Sequence, residues 1–186
     1  MGYQPLKILQ AAHLASQWHT KQRRKGADRE PYVNHLIEVA HLVASAGADE
    51  DVICAALFHD AIEDQRITAT RINREFGPDV AALVCEVTND KSLPKAERKA
   101  IEIAMAPSLS PGAKLIRLAD KISNVRSLRL SPPADWSTER RLDYIEFCCK
   151  VVAGLRGTNA MLEKLFDEAE EAARKANRCS LDPLTC

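Results

Sequence analysis

No uninterrupted apolar run in this sequence approaches the ~18 residues that a membrane span needs, and the N-terminal stretch lacks the apolar segment of an export signal. An excess of one charge is missing too. Lys+Arg and Asp+Glu both number 26, so no global field draws the chain toward nucleic acid or an anionic membrane. Any cationic site for phosphate must therefore be local. The six cysteines (Cys54, Cys85, Cys148, Cys149, Cys179 and Cys186) include no C-x-x-C pair and no zinc-ribbon spacing. Without an export signal they read as reduced thiols, several of them core fillers, and the expected compartment is the cytoplasm. Strict apolar–polar alternation over a useful length is also absent, which argues against a sheet-based fold.

What is present reads as helices nearly throughout. Ile8, Ala11, Ala12, Ala15 and Trp18 recur at spacings of three and four and predict a first amphipathic helix over about residues 5–22. A basic stretch, Lys21 to Glu30, precedes Pro31. Leu36, Val39, Ala40 and Val43 then give a second helical face that stops at Gly47. Asp49 or Glu50 begins a third helix, expected to run through Leu57, His59 and Glu63. Thr68 caps a short helix closed by Gly77, and Pro78 opens another with Val80, Val84 and Val87 inward. Pro94 begins a charged helix that ends before Pro107. Ser110-Pro111 opens a helix through Leu115, Leu118, Ala119, Ile122 and Val125, Pro132-Pro133 breaks the pattern, Ser137 caps the next, and a last helix covers about 159–176. The expectation is an all-α bundle of about eight to ten helices in a single domain over 1–178, with a frayed end after Lys175 and a flexible tail over 179–186. At 186 residues the chain is long enough to bury a real core.

One short segment concentrates chemistry: His59-Asp60-Ala61-Ile62-Glu63-Asp64. On a single helix its four polar side chains fall within an arc of roughly 140°. Three carboxylates beside an imidazole repel one another, and a divalent cation removes that repulsion; mixed N/O ligation suits Mn²⁺, Fe²⁺ or Mg²⁺. From the local pattern alone, a solvated acidic helix end is also open. His35 sits beside the apolar face of the second helix and reads either as a hydrogen-bonded structural histidine or as a ligand. Asp120 lies in an otherwise apolar stretch, Leu115 to Ile122, where an unpaired carboxylate is costly; a salt bridge or a metal would settle it. Asp120, Asn124 and Ser127 stand at i, i+4 and i+7, one polar stripe down a core helix.

In order, His35…His59-Asp60…Asp120 resembles the H…HD…D pattern of the HD superfamily. HD-x-x-ED, the run Arg23-Arg24-Lys25 ahead of Glu30-Pro31-Tyr32-Val33-Asn34-His35, and Leu118-Ala119-Asp120-Lys121-x-x-Asn124 resemble the hydrolase domain of the RelA/SpoT alarmone enzymes. Glu86 to Lys95 and Ser110 to Leu115 are closer still to the stand-alone small alarmone hydrolases, the branch that includes the metazoan SpoT homologue. The resemblance covers about residues 5–170.

It implies a compact HD-domain bundle that hydrolyses ppGpp to GDP and pyrophosphate. His35, His59, Asp60 and Asp120 would bind one Mn²⁺, which acidifies a water. Glu63 and Asp64 would polarise or deprotonate that water, their pKa values pulled apart by repulsion and by the cation. Arg24 and Lys25 match a basic pair that meets the diphosphate. Asn124 and Ser127 match nucleoside-pocket positions, Tyr144 with Arg140 flanks the base or ribose, and Lys95 is a further substrate contact. The partner so implied is a small nucleotide, ppGpp or pppGpp; no nucleic acid or membrane is implied, and the oligomeric state is not readable. Having no synthetase domain or regulatory extension, the chain should only degrade alarmone. Asn89 stands where Asp is common in this branch and, not being a matched ligand, is expected to matter little. The loop Lys25 to Arg29 reads as longer than in the bifunctional enzymes. Other activities on the same site are removal of the NADPH 2′-phosphate, hydrolysis of an adenosine alarmone ((p)ppApp), or nucleotide sensing without catalysis.

Overall fold

A computed structural model describes residues 5–179 of the chain, and within them the architecture is all-α. Helix α1 (Pro5–Trp18) is followed by α2 (Val33–Ser45), α3 (Glu50–Phe58), the short α4 (Ala61–Gln65), α5 (Ala69–Phe76) and α6 (Pro78–Val87). Then come α7 (Lys95–Met105), one 3-10 turn (Ala106–Ser108), α8 (Pro111–Leu130), α9 (Thr138–Ala153) and α10 (Ala160–Cys179). The punctuation is chemical. Asp49, Thr68, Ser110 and Ser137 each accept a hydrogen bond from a first-turn amide, which satisfies a donor the helix itself leaves open. Gly77 has φ 98°, a left-handed backbone that a Cβ would strain, and this lets α5 turn directly into α6.

Helix α3 is the hub. Every residue from Val52 to Phe58 is buried, and the helix packs on α1, α2, α6 and α8. A helix apolar all round can only sit inside. Phe58 is held between Trp18 and Phe76 at ring-centroid distances of 5.0 and 4.8 Å. Full burial of such a side chain contributes about 1.5–3 kcal/mol. Helix α8 is the second axis and lies against α2, α6, α9 and, most extensively, α10. Its inner face carries Ile116, Leu118, Ala119, Ile122 and Val125, all fully buried.

The structure corrects three boundaries. The first helix stops at Trp18 instead of 22. From there the chain folds back on itself through one isolated bridge, Arg23 to Pro31, with Arg24 N–H donating to Glu30 O at 2.9 Å. The third helix does not run through Glu63. It ends at Phe58, Asp60 adopts φ −104° and ψ 0°, and α4 starts afresh at Ala61. The end after Lys175 is not frayed over 176–179. There α10 continues, and Asn177, 2% exposed, donates to Leu128 O and Ala173 O. The tail expected beyond Cys179 lies outside the described residues.

Candidate active site and metal centre

The break between α3 and α4 builds the centre. On a continuous helix adjacent side chains diverge by about 100°. Here the turn swings Asp60 back, so that its Oδ2 lies 3.2 Å from His59 Nε2 and 3.9 Å from His35 Nε2. Asp120, from α8, places Oδ1 3.3 Å from His35 Nε2 and 3.8 Å from His59 Nε2. His35, His59 and Asp120 are all buried and gather their ligand atoms within 4.8 Å of one another. Asp60 adjoins this group and accepts a hydrogen bond from the Tyr32 hydroxyl.

Two observations show that these residues fit a divalent cation. The Nε2 atoms of both histidines are buried without a hydrogen-bond partner, which is costly unless something else fills the role. On His59 the opposite nitrogen, Nδ1, faces the Ala56 carbonyl at 2.8 Å and must donate to it, leaving the Nε2 lone pair directed at the carboxylates. The electrostatics agree. Burial opposes a charged His59, but Asp60, Asp120 and the Ala56 carbonyl together outweigh it and push the imidazole up to about 9, as expected of a site that favours positive charge. Burial works against ionised Asp120 as well, yet Lys121 and the histidines hold it well below the usual carboxylate range.

Asp120 has the salt-bridge partner that the sequence left open, and its other oxygen faces the candidate metal centre. Lys121 Nζ donates to its Oδ2 at 3.0 Å and Asn124 Nδ2 to its Oδ1 at 2.6 Å, while the same Oδ1 faces the histidines. Lys121 is itself buried and shared with Glu102 at 2.5 Å.

A cavity of about 610 Å³ opens over this centre. Asp60, Glu63, Asp64 and Asp120 line it, together with Arg24, Lys25, Lys95, Asn124, Ser127 and Tyr144. Glu63 receives Asn89 N–H at 3.3 Å and lies 3.7 Å from Arg98. Burial, then the nearby Asp60 charge, raises its pKa. Asp64 is held by Gln22 Nε2 at 2.6 Å and by Lys91. Arg24 Nη1 donates to Asn124 Oδ1 at 3.1 Å, joining the basic loop to the α8 stripe. Arg140 does not line the cavity; its guanidinium lies 4.5 Å over the ring of Trp136, which does.

Several lining residues were not singled out in the sequence: Tyr32, Gln22, Lys91, Lys99, Trp136 and Phe147. Asn89 also proves closer to the chemistry than its lack of a ligand role suggested, since its backbone and its Nδ2 both reach Glu63. An Asp there would set a second carboxylate against the first.

The basic loop is pinned at its far side. A Cβ on Gly26 would lie 2.2 Å from Ser131 O, and Asp28 N–H donates to Ser131 Oγ at 3.1 Å. Gly26→Ala is therefore expected to displace the loop, at the cost of about 1–3 kcal/mol usual for overpacking. Hydrogen exchange at the Asp28 amide checks it: the amide should lose protection, and unchanged protection with unchanged stability would contradict the close approach.

Comparison with known proteins shows the family. A family model described as the HD domain matches residues 11–145. The human guanosine-3′,5′-bis(diphosphate) 3′-pyrophosphohydrolase MESH1 is 44% identical over 166 residues, 88% of this chain and 93% of that protein. The Drosophila melanogaster protein of the same name is 46% identical over 168 residues, 89% of this chain and 94% of that one. A solved structure of a metazoan orthologue of SpoT, described as hydrolysing ppGpp and acting in starvation responses, superposes with a TM-score of 0.87 at 44% identity. That match covers 92% of this chain and 97% of the other.

Proposed function

The chain belongs to the HD-domain family, and from that membership we infer that it is a metal-dependent hydrolase that converts ppGpp and water to GDP and pyrophosphate. The observation that carries this is one juxtaposition. A buried two-histidine, carboxylate-flanked centre, the Glu63/Asp64 pair and the Arg24–Lys25 loop all face the same 610 Å³ cavity. Bound by His35, His59, Asp60 and Asp120, a divalent cation supplies a water of lowered pKa and polarises a phosphoryl oxygen. Mn²⁺ is the ion proposed, because two imidazoles and two carboxylates form a mixed N/O donor set.

The chain's own residues do the rest. Glu63, half-buried and raised in pKa, takes a proton at its carboxylate. Asp64, tethered from two sides by Gln22 and Lys91, is oriented for the same water. Arg24 and Lys25 bind the 3′-diphosphate and stabilise charge on the departing pyrophosphate. Asn124, Ser127 and Tyr144 receive the nucleoside; Lys95 lines the pocket, and Arg140, outside it, backs the ring of Trp136. The proposal spans a single domain over 1–178 and a small-molecule partner. It is cytoplasmic, in keeping with the free thiols of Cys54, Cys85, Cys148 and Cys149. No helix among the described residues is long and apolar enough to cross a membrane.

The deciding experiment incubates the protein with ppGpp, ppApp and NADPH in Mn²⁺ and identifies products by ion exchange. GDP and pyrophosphate from ppGpp are expected. Inorganic phosphate as the sole product overturns the proposal. Arg24→Ala and Lys25→Ala should each lower kcat/KM for ppGpp by about 10- to 10³-fold, the scale of losing one charged stabiliser. Loss on NADPH should be smaller, since one phosphate engages only part of the clamp. Equal losses on both substrates would show that the pair shapes the loop without choosing the leaving group.

A further inference from the structure

The two histidines of the centre are oriented by different means. His59 donates Nδ1–H to Ala56 O on its own helix, a main-chain acceptor that no substitution removes. His35 has no such anchor at Nδ1. That atom lies 2.8 Å from Ser123 Oγ, and Ser123 Oγ in turn donates to Glu38 Oε2 at 2.6 Å. A serine hydroxyl has one proton. Since Ser123 spends it on Glu38, the hydroxyl can only accept from His35, so Nδ1 carries the imidazole proton and Nε2 presents its lone pair. Glu38 is steadied by Arg126 at 3.1 Å.

The arrangement is a product of helix packing. His35 and Glu38 stand at i, i+3 on α2; Ser123 and Arg126 stand at i, i+3 on α8, the helix packed against it. Ser123 is 2% exposed and sits where the two helices meet. Neither Ser123, Glu38 nor Arg126 lines the cavity. A substrate-binding role therefore does not explain them, and a serine inside a helix ordinarily turns to its own backbone rather than bridging to another helix.

We propose that Ser123 and Glu38 are positioning residues for the metal centre, a hydrogen-bonded brace from α8 and α2 that fixes His35 in the tautomer and orientation needed to ligate the cation. Outer partners of this kind hold a ligating imidazole in register, and their loss typically costs 10- to 100-fold in metal affinity. The brace rests on His35 serving as a ligand, so its test carries its own control.

Titrate the metal-free protein with Mn²⁺ alone by calorimetry, for the wild type and for Ser123→Ala, Glu38→Leu, Glu38→Gln and His59→Ala. Ser123→Ala should weaken Mn²⁺ binding by about 10- to 100-fold. Glu38→Gln keeps an acceptor for the serine proton and should bind Mn²⁺ more tightly than Glu38→Leu. Long-range ¹⁵N–¹H spectra of the metal-free proteins should show His35 protonated at Nδ1 in the wild type and shifted toward Nε2 protonation in Ser123→Ala. A merely structural serine would lower thermal stability and move neither readout. If Ser123→Ala binds Mn²⁺ as the wild type does, and His59→Ala does not, the brace is refuted while the centre stands. If His59→Ala also binds unchanged, ligation by this centre is refuted and the brace falls with it.

Discussion

Chelation with EDTA should abolish ppGpp hydrolysis, and added Mn²⁺ should restore it. Without the cation the buried Nε2 atoms of His35 and His59 have no hydrogen-bond partner while the Asp60 and Asp120 carboxylates face them. A bound ion satisfies both nitrogens and both carboxylates at once. Its binding energy is also folding energy, because the unfolded chain holds no such site. At a free metal concentration of about 100 times Kd the native state gains ~2.7 kcal/mol. For a chain of this size that corresponds to a rise in Tm of about 5–10 °C. Differential scanning calorimetry with and without Mn²⁺ reads the shift directly. Full activity in chelator, with elemental analysis finding no metal, would overturn the assignment.

Replacing Glu63 and Asp64 together by Ala should lower kcat by about 10²-fold or more, the usual scale of a general acid–base contribution. Metal and nucleotide binding should survive, because neither residue belongs to the buried His35–His59–Asp120 group. A rise in KM with kcat unchanged would instead make the pair a binding element. The pH profile adds a sign. A general base must be ionised, so activity falls as pH drops through its pKa. Burial and Asp60 raise Glu63, so the acid limb of kcat/KM should lie above the position of an ordinary glutamate and should disappear in Glu63→Ala.

Much of this fold is legible in the sequence because its helices are punctuated by local chemistry. Thr68, Ser110 and Ser137 cap where a hydroxyl precedes a helical first turn, and Gly47 and Gly77 take the positive φ that only glycine takes cheaply. The α3–α4 break is not legible in this way. No glycine or proline marks it, and the residues around His59 read as one helix until tertiary packing turns the chain. That His35, His59 and Asp120 come together is legible through the resemblance to the H…HD…D pattern; from the residues alone, a carboxylate in an apolar helix asks only for a partner. The pocket wall is not legible in this way. Trp136 follows a proline break, Lys99 is one lysine in a charged helix, and Glu102 looks like any surface acid until Lys121 and Arg117 close on it. What such residues touch is decided by elements far away in the chain.

Helix α8 carries Asp120 near its middle and ends at Ser131, the residue against which Gly26 is pressed. Eleven residues at about 1.5 Å each set roughly 16 Å of rise between the two. The helix is therefore a length standard: it gauges how far the basic loop stands from Asp120. One residue added to or deleted from α8 would change that gauge and would also rotate Asp120 by about 100° relative to Ser131. The loop meets the same standard twice, because Asp28 N–H also donates to Ser131 Oγ, beside the close approach of Gly26.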